Sequence, residues 1–385
     1  MDVRLAKDTI DSGDIDYLIE WLQTYPRLTK GDVTLQFEEK WSRYLGVNHS
    51  VFVNSGSSAN LLMLYTLFES GDLSLNDKVV VPAVSWSTDL APVFQLGLDP
   101  ILCDCNLENL SVDLNHLEDI FKKHKPKVLI LVSVLGMVPD MSKIVDLCDS
   151  HGVILLEDTC ESLGSEFGGK KLGSFGKMSS FSTYFGHHIS TIEGGMVCTN
   201  DEKTSNILRA CRSHGWSRDM DKPYQDELFK KYNVNDFNSM YTFYYSGFNL
   251  RSTDLQAYLG LRQLDKLPQL TKVRKDNYDT YRSHVKNDFW SPPEDSNGIS
   301  NFAYPVIHKN RKNIVKILDQ NGVENRPLIC GSLGRQPYWI EKKGLVNMKN
   351  ADTVHDFGMY LPNHGYLDEE TIIKVSNLIN KGIRN

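Results

Sequence analysis

Residues 127–135 of the chain read KVLILVSVL, a run of apolar and β-branched side chains typical of a fully buried strand. Similar short apolar runs lie on both sides of it, and segments with helical periodicity separate them. These runs are residues 51–53, 79–81, 101–102, 153–156, 179–183 and 196–199. Buried strands that alternate with helices predict an α/β fold built on a large, mostly parallel sheet covered on both faces.

The N-terminal and C-terminal parts of the chain show other sequence patterns than this central region. The first fifty residues predict helices, with a cap at Asp11-Ser-Gly-Asp14 and a helix within residues 33–44. After about residue 260 the chain is more charged, and a strand over 302–307 followed by a helix over 312–320 predicts a smaller α+β domain. A long helix through Asp254–Lys266 is expected to link the two. We therefore predict a large domain over residues 1–255 and a small C-terminal domain over residues 256–385.

Composition excludes several classes of protein. The 385 residues include 42 basic and 49 acidic side chains, and the net charge of −7 argues against a nucleic-acid binder that works by bulk charge. There is no run of 18 apolar residues and no N-terminal secretion signal, so we expect no membrane span and no secretion. Seven cysteines fit a reducing cytosol better than a disulfide framework, which predicts a cytoplasmic protein.

Two of the predicted strands end in polar side chains suited to a charged ligand. The stretch Asn54-Ser-Gly-Ser-Ser-Ala-Asn60 joins a strand to a helix, where small residues and free N–H groups favour an anion such as phosphate. A plain capped turn is the alternative. Glu157-Asp158 follows another apolar run, at the sheet edge where ligands of open α/β sheets bind. An aspartate there suits a protonated ring nitrogen, or else it caps a helix.

Two further loops carry aromatic and imidazole groups. Trp86 follows a strand and is a candidate for stacking on a flat ring, although a buried packing tryptophan is the commoner case. His187 and His188 precede a Gly-Gly turn, where a metal site, a general base and no function are the alternatives. A metal site is disfavoured, because adjacent histidines rarely converge on one ion. Cys103 and Cys105 lack a nearby partner pair, and we interpret them as buried thiols. No metal is expected.

In this order and spacing, the stretches resemble the DegT/DnrJ/EryC1/StrS aminotransferase family, the sugar-modifying branch of the fold-type I pyridoxal-phosphate enzymes. The stretch from Glu157 to Glu161 resembles the EDxxQ motif of that family, with Glu161 in place of the usual glutamine. Gly247-Phe-Asn-Leu-Arg251 resembles its G-Y/F-N-x-R stretch. The resemblance covers nearly the whole chain and includes Arg326-Pro327 and Leu361-Pro-Asn-His364.

The resemblance implies roles for individual residues around a pyridoxal or pyridoxamine phosphate coenzyme. Asp158 would keep the ring nitrogen protonated, and Trp86 would stack on the ring. Asn249 would reach the phosphate of the neighbouring subunit's coenzyme, which implies a homodimer with shared active sites. The residues implied in coenzyme binding are Ser57, Ser58, Trp86, Asp158, Glu161, Ser182 and Asn249.

The chain departs from the family at one position. The family places a lysine that holds the coenzyme covalently five residues after the serine that is Ser182 here, and counting from Ser182 gives His187. Lys177 is the nearest lysine, and it precedes the strand out of register. Imidazole cannot hold the coenzyme covalently as an amine does, but it can act as a general base near neutral pH. We therefore expect a non-covalently held coenzyme, with His187 and Asp158 as the catalytic residues.

A histidine at this position resembles the 3-dehydratases of the family, which make 3,6-dideoxy sugars. It implies a nucleotide-linked 4-keto-6-deoxy sugar as substrate, with GDP favoured and hexose or heptose left open. The C3 hydroxyl would be lost, ammonia released, and the coenzyme re-aminated by L-glutamate. One relative of this kind carries an iron–sulfur cluster, but the cysteines of this chain are scattered, so no cluster is expected.

Four residues are weaker candidates for substrate binding. His188 and His214 suit a supporting position around the site or an acid for the leaving hydroxyl, and a hydrogen bond within a loop is the alternative. Arg326 and Arg335 suit a sugar-nucleotide diphosphate, because a guanidinium fork matches that group, and an exposed surface arginine is the alternative. At the level of function, a sugar aminotransferase and a silent coenzyme-binding homologue are the alternatives.

Overall fold

The structure is a computed structural model that describes residues 1–384. Helices and strands are numbered in chain order. The helices are α1 (Ser12–Leu22), α2 (Asp32–Leu45), α3 (Gly56–Ser70), α4 (Ser87–Gln95), α5 (Leu114–His124), α6 (Met141–His151), α7 (Glu202–Arg212), α8 (Lys222–Tyr232), α9 (Asp236–Ser239), α10 (Asp254–His284), α11 (Arg311–Gln320), α12 (Pro337–Lys343), α13 (Lys349–Phe357) and α14 (Glu369–Arg384). The strands are β1 (His49–Val53), β2 (Lys78–Pro82), β3 (Asp99–Cys103), β4 (Val128–Val132), β5 (Ile154–Asp158), β6 (Glu166–Phe167), β7 (Lys170–Lys171), β8 (Met178–Ser182), β9 (Gly195–Thr199), β10 (Tyr304–Ile307), β11 (Arg326–Pro327) and β12 (Gly358–Leu361).

Seven strands form one sheet in the order β1-β9-β8-β5-β4-β2-β3. The five strands from β8 to β3 pair in parallel, and β9 pairs antiparallel with both β8 and β1, so only β9 runs in the opposite direction. Each apolar run identified in the sequence is one of these strands, which confirms the predicted mostly parallel α/β sheet. The run 127–135 is shorter as a strand than predicted, because residues 134–136 form a single 3-10 turn in which Leu135 has φ 54°.

The central strand β4 shows why these runs are continuously apolar. All five of its residues are buried. Side chains alternate across the sheet, so Val128 and Ile130 join the core on one face while Leu129 and Leu131 join Phe121 of α5 on the other. Helices cover both faces, and the carboxyl ends of the parallel strands therefore meet at one open edge of the sheet.

The C-terminal part of the chain adds a three-stranded antiparallel sheet in the order β10-β12-β11. Its core includes Tyr304 of β10, which stacks on Tyr281 of α10 at 4.5 Å between ring centroids. The predicted linking helix exists as α10 and runs 31 residues, well beyond Lys266. The domain division after residue 255 stays a prediction.

The N-terminal segment also behaves as its sequence predicts. Asp11 and Asp14 form a reciprocal capping box at the start of α1, and each carboxylate accepts a hydrogen bond from the other residue's N–H. Ahead of that helix, Val3 pairs with Val323, and the N–H of Leu5 donates to Glu324 Oε2 at 2.8 Å. Among residues 1–384, no helix is long and apolar enough to cross a membrane.

Candidate active site

A cavity of about 670 Å³ opens at the carboxyl ends of β5 and β8, where ligands of open α/β sheets bind. Its walls come from the start of α3, the turn before α4, the loop after β8, and residues on or next to the strands of the C-terminal sheet. Arg4, Leu5 and Ala6 lie at its edge. The sequence-predicted residues that line it are Ser57, Trp86, Asp158, Glu161, Ser182, His187 and Arg326.

One wall is built from the first turn of α3 against the end of β8. Ser55 caps this helix, and its hydroxyl accepts a hydrogen bond from the N–H of Ser58 at 3.1 Å. A Cβ on Gly56 would lie 2.8 Å from Ser182 Cβ and 2.9 Å from Cys160 Sγ, so only glycine permits this approach. Ser57 is exposed toward the cavity. Free N–H groups of the helix start and serine hydroxyls make this wall suitable for a phosphate.

The floor of the cavity is acidic. Asp158 ends β5, and its Oδ2 accepts a hydrogen bond from Asn60 Nδ2 at 2.6 Å while its Oδ1 accepts from the Cys160 N–H at 2.9 Å. Asn60 also donates to Asp89 Oδ1 at 3.1 Å. Two buried carboxyl groups therefore line the cavity, which suits a cationic group of a ligand.

The two glutamates of the Glu157–Glu161 stretch have different roles. Glu157 points away from the cavity and accepts hydrogen bonds from the backbone N–H groups of Gly173, Phe175 and Gly176 at 2.6–2.7 Å, so it is structural. Glu161 lines the cavity, and its Oε2 accepts from the Leu135 N–H at 2.8 Å. Burial raises the pKa of Glu161 to about 8, which leaves it protonated and able to donate at neutral pH.

Trp86 is not a packing residue. It is 53% exposed and lines the cavity at the N-terminus of α4. Its backbone N–H donates to Asp89 Oδ2 at 2.9 Å, which fixes the turn that carries the indole. Sequence reasoning missed Asp89, although an acid three residues after a strand-to-helix turn is a capping-box signal that would have drawn attention to it.

His187 lies in the loop between β8 and β9. Its N–H donates to the Tyr184 carbonyl at 2.9 Å, and its ring packs against Phe302 at 5.1 Å between centroids. Its Nδ1 is buried and has no hydrogen-bond partner among the described residues. Burial lowers the pKa of His187 to about 4, although the Asp158 charge opposes this shift. The imidazole is therefore neutral at physiological pH, as a general base must be.

Arg274 of α10 holds this loop from behind. Its Nη2 donates to the His187 carbonyl at 3.1 Å, and its Nη1 donates to the carbonyls of Phe302 (2.8 Å) and Asn363. The guanidinium is buried, and its charge also contributes to the lowered pKa of His187. Three segments that are distant in sequence thus converge on one side chain.

No lysine lines the cavity in the described part of the chain. Lys177 lies just before β8, at the far end of that strand, and forms an ion pair with Asp72 at 2.7 Å. The departure from the family pattern noted in the sequence therefore corresponds to a cavity with an imidazole where an amine was expected.

Several predicted residues lie outside the cavity. His188 is fully buried, and its Nε2 is hydrogen-bonded to the carbonyl of Ser300, a residue of another segment, at 3.1 Å. Ser58 lies within the first turn of α3, behind Ser57. Arg335 forms an ion pair with Asp356 at 2.8 Å, whereas Arg326 is exposed at the cavity edge. The Cys103 and Cys105 thiols are buried, as predicted.

His214 and Asn249 form a separate polar cluster on the surface. Arg251 joins them, since its Nη2 lies 3.2 Å from His214 Nε2 and its Nε donates to Asn249 Oδ1 at 2.9 Å. The nearby segment exposes large aromatic side chains, including Tyr241 at 72% and Phe243 at 56%. Among residues 1–384, no group of three or more His, Cys, Asp or Glu side chains is arranged to hold a metal ion.

Comparison with known proteins places this geometry in a family. The model of the DegT/DnrJ/EryC1/StrS aminotransferase family matches residues 8–380. The chain is 31% identical over 388 residues to the GDP-4-keto-6-deoxy-D-mannose 3-dehydratase of Yersinia pseudotuberculosis, covering 98% of each chain. It is 28% identical over 392 residues to the UDP-4-amino-4,6-dideoxy-N-acetyl-beta-L-altrosamine transaminase of Helicobacter pylori, covering 98% of this chain and 96% of that one.

A solved structure gives the same result for the fold. The crystal structure of a GDP-4-keto-6-deoxymannose-3-dehydratase with a trapped PLP-glutamate geminal diamine matches with a TM-score of 0.89 at 30% identity, covering 98% of this chain and 100% of the other. The fold is therefore that of the pyridoxal-phosphate aminotransferase-like enzymes, as predicted. Sequence and fold agree, and the chain belongs to the DegT/DnrJ/EryC1/StrS aminotransferase family.

Proposed function

We propose that this protein is a 3-dehydratase that uses pyridoxamine or pyridoxal phosphate to remove the C3 hydroxyl of a GDP-linked 4-keto-6-deoxy sugar. Ammonia is released, and L-glutamate re-aminates the coenzyme. The observation that carries the proposal is His187, which faces a cavity that no lysine of the described residues lines. The names of the 3-dehydratase relatives support the substrate class, and the PLP-glutamate structure supports the amino donor.

The cavity fits such a coenzyme by charge and shape. The acidic floor suits a pyridinium nitrogen, the start of α3 suits a phosphate, and the exposed Trp86 indole suits the ring face. The buried Nδ1 of His187 has no partner within the described residues, which leaves it free for a ligand. When bound, the coenzyme supplies an amine that condenses with the sugar ketone and a ring that takes up the electron pair.

The residues of the chain act around that group. Asp158 holds a proton on the ring nitrogen, because an adjacent carboxylate stabilises the pyridinium form. His187 is neutral and not covalently attached, so it takes a proton from the coenzyme C4′ carbon without also serving as an anchor. Glu161 is protonated at neutral pH and donates a hydrogen bond at the polar edge of the ring. Ser57 and Ser182 bind the phosphate, with Ser58 supporting the same turn.

The remaining candidates concern the substrate and a second subunit. Arg326 is free to contact the diphosphate at the cavity edge, whereas Arg335 is already paired. We propose that Asn249 and His214 complete the site of a partner subunit in a homodimer, since Asn249 is exposed, His214 is half-buried, and both lie outside this chain's own cavity. The seven cysteines are free thiols, which suits the cytoplasmic location that we also propose.

Turnover with a defined substrate tests the proposal. The protein is incubated with pyridoxal phosphate, L-glutamate and GDP-4-keto-6-deoxymannose, and ammonia and product mass are measured. Ammonia together with loss of the C3 oxygen is the expected result. His187→Asn should abolish both signals, while His151→Asn, a change at an exposed residue of α6, should leave them unchanged.

The same experiment distinguishes the dehydratase from the second candidate function, an aminotransferase. The transaminase relative favours an aminotransferase, which would yield an amino sugar with every other hydroxyl intact and no ammonia. That product would overturn the dehydratase proposal. Absence of turnover with this hexose and with the matching 6-deoxy-heptose would instead indicate a silent coenzyme-binding homologue.

A further inference from the structure

Asp89 is a buried carboxyl group that the proposed mechanism does not use. It lies in the first turn of α4 with no exposed surface. Its Oδ2 accepts the backbone N–H of Trp86 at 2.9 Å, and its Oδ1 accepts from Asn60 Nδ2 at 3.1 Å. Asp89 is therefore hydrogen-bonded directly to the residue proposed to stack on the ring and, through Asn60, to Asp158.

Asn60 fixes the geometry of the two acids. Its Oδ1 accepts the Ser180 hydroxyl at 2.5 Å, so both amide hydrogens point toward the carboxyl groups. One reaches Asp158 at 2.6 Å and the other reaches Asp89 at 3.1 Å. Two ionised carboxylates bridged by one neutral amide in a buried site would repel strongly, which favours a state with one proton between them.

The surroundings of Asp89 supply no compensating cation. The described titratable groups that face it, besides Asp158, are Cys160 and Glu161 after β5, Cys330 after β11, and Tyr338 of α12. Burial raises the pKa of all four, to about 8 for Glu161 and about 12 for Cys330, so each is uncharged at neutral pH. Burial and the Asp158 charge also raise the pKa of Asp89 well above its usual range.

We propose that Asp89 is a positioning residue that shares one proton with Asp158, so that the pair carries a single negative charge and orients both Asp158 and Trp86 toward the coenzyme ring. The two carboxyl groups are close enough for a direct side-chain hydrogen bond. The protonated Asp89 donates to Asp158, while its oxygens still accept from Trp86 and Asn60. This inference rests on the coenzyme of the proposed function and not on the dehydration step.

Infrared difference spectroscopy of the protein with bound pyridoxamine phosphate tests the shared proton. The wild-type spectrum minus that of Asp89→Asn at pH 7 should contain the carbonyl stretch of a protonated carboxylic acid. A difference spectrum that contains only carboxylate bands would overturn the proposal, because Asp89 would then be ionised. A purely structural role would not produce the acid band.

The positioning role is tested by comparing the coenzyme affinities of a conservative variant, Asp89→Asn, and a truncating variant, Asp89→Ala. Asp89→Asn keeps the size and the uncharged state and can still donate to Asp158, but its amide offers one acceptor oxygen to the two donors of Trp86 and Asn60. Its Kd for pyridoxamine phosphate should therefore rise by about three- to tenfold. Asp89→Ala removes all three hydrogen bonds and should weaken binding by more than about tenfold. Asp113→Asn is the matched control, since this aspartate caps α5 and does not line the cavity.

Two binding results would contradict the positioning role. These are a loss of binding beyond about tenfold in Asp89→Asn, and wild-type binding by Asp89→Ala. Should Asp89→Ala fail to fold, the infrared band and the Asp89→Asn affinity still test the proposal. Neither measurement involves a sugar, so a protein that shows the acid band but no dehydration would count against the proposed function alone.

Discussion

At the scale of single residues, the neutral state of His187 is the property on which the proposed chemistry depends. A base that is also buried beside an acid could be held either charged or neutral, and burial here favours the neutral form. The sequence identified this residue by counting from Ser182. It offered no indication of the Phe302 ring or of the Arg274 guanidinium that surround the imidazole loop, because both are more than eighty positions away.

This neutrality predicts a pH dependence of stability. The folded-state pKa of His187 is lowered to about 4 from 6.5, so between these values the unfolded chain takes up a proton that the folded chain does not. The contribution of the neutral His187 to the free energy of unfolding is complete above pH 6.5 and is lost as the pH falls toward 4. Between pH 7 and 5, wild type should therefore lose up to about 2 kcal/mol more stability than His187→Asn.

Urea denaturation of both proteins at the two pH values measures this difference. The exposed His151→Asn variant serves as the reference for the loss of any histidine. Equal acid sensitivity of wild type and His187→Asn would show that folding does not lower the pKa of His187, and would contradict the effect of burial on this imidazole.

At the scale of elements, the close packing of the start of α3 predicts that one added methyl group at Gly56 strongly weakens coenzyme binding. Gly56→Ala would place a Cβ within 3 Å of Ser182 Cβ and Cys160 Sγ, which forces the helix start away from the end of β8. Because the phosphate site is proposed to lie between these two elements, coenzyme affinity should fall about tenfold or more. A fluorescence titration with pyridoxal phosphate measures the effect.

A second glycine provides the control for this prediction. A Cβ on Gly260 of α10 would lie 2.5 Å from the Phe37 ring, in the core and not at the cavity. Gly260→Ala should lower the thermal midpoint yet leave the coenzyme affinity of the folded protein unchanged. An affinity that falls equally in both variants would mean that Gly56 acts through general stability only.

The elements themselves were largely predictable. All seven sheet strands were visible because strands buried on both faces cannot alternate with polar residues. The ends of these elements were less predictable. The apolar run 127–135 stops being a strand at Val132, and α10 continues to His284. Tertiary contacts, and not local composition, set these limits. The cavity floor was predicted through Asp158, but Asp89 was not, since its role depends on Asn60 from another helix.

At the scale of the whole molecule, the proposed homodimer predicts subunit complementation. Asn249 is exposed and lies outside this chain's own cavity, whereas His187 lies inside it. If each site uses His187 of one chain and Asn249 of the other, a mixed dimer of His187→Asn and Asn249→Ala chains contains one intact site. Random exchange of subunits should then restore about a quarter of wild-type turnover.

The measurement is ammonia release before and after the two inactive variants are unfolded together and refolded. Each variant refolded by itself is the control and should remain inactive. A mixture that stays as inactive as its components, although size-exclusion chromatography shows that dimers form, would mean that Asn249 serves its own chain or no site at all.

The three carbonyls that Arg274 binds have a consequence for protein engineering. One guanidinium joins the His187 loop to residues 302 and 363. The position of the His187 imidazole therefore depends on the backbone beside the C-terminal sheet. A chimera that takes its C-terminal segment from a transaminase relative, in order to exchange sugar specificity, would import a different backbone beneath His187. In such chimeras, the junctions should lie in exposed loops, at positions where Arg274 and the three carbonyls that it binds all come from the same parent protein.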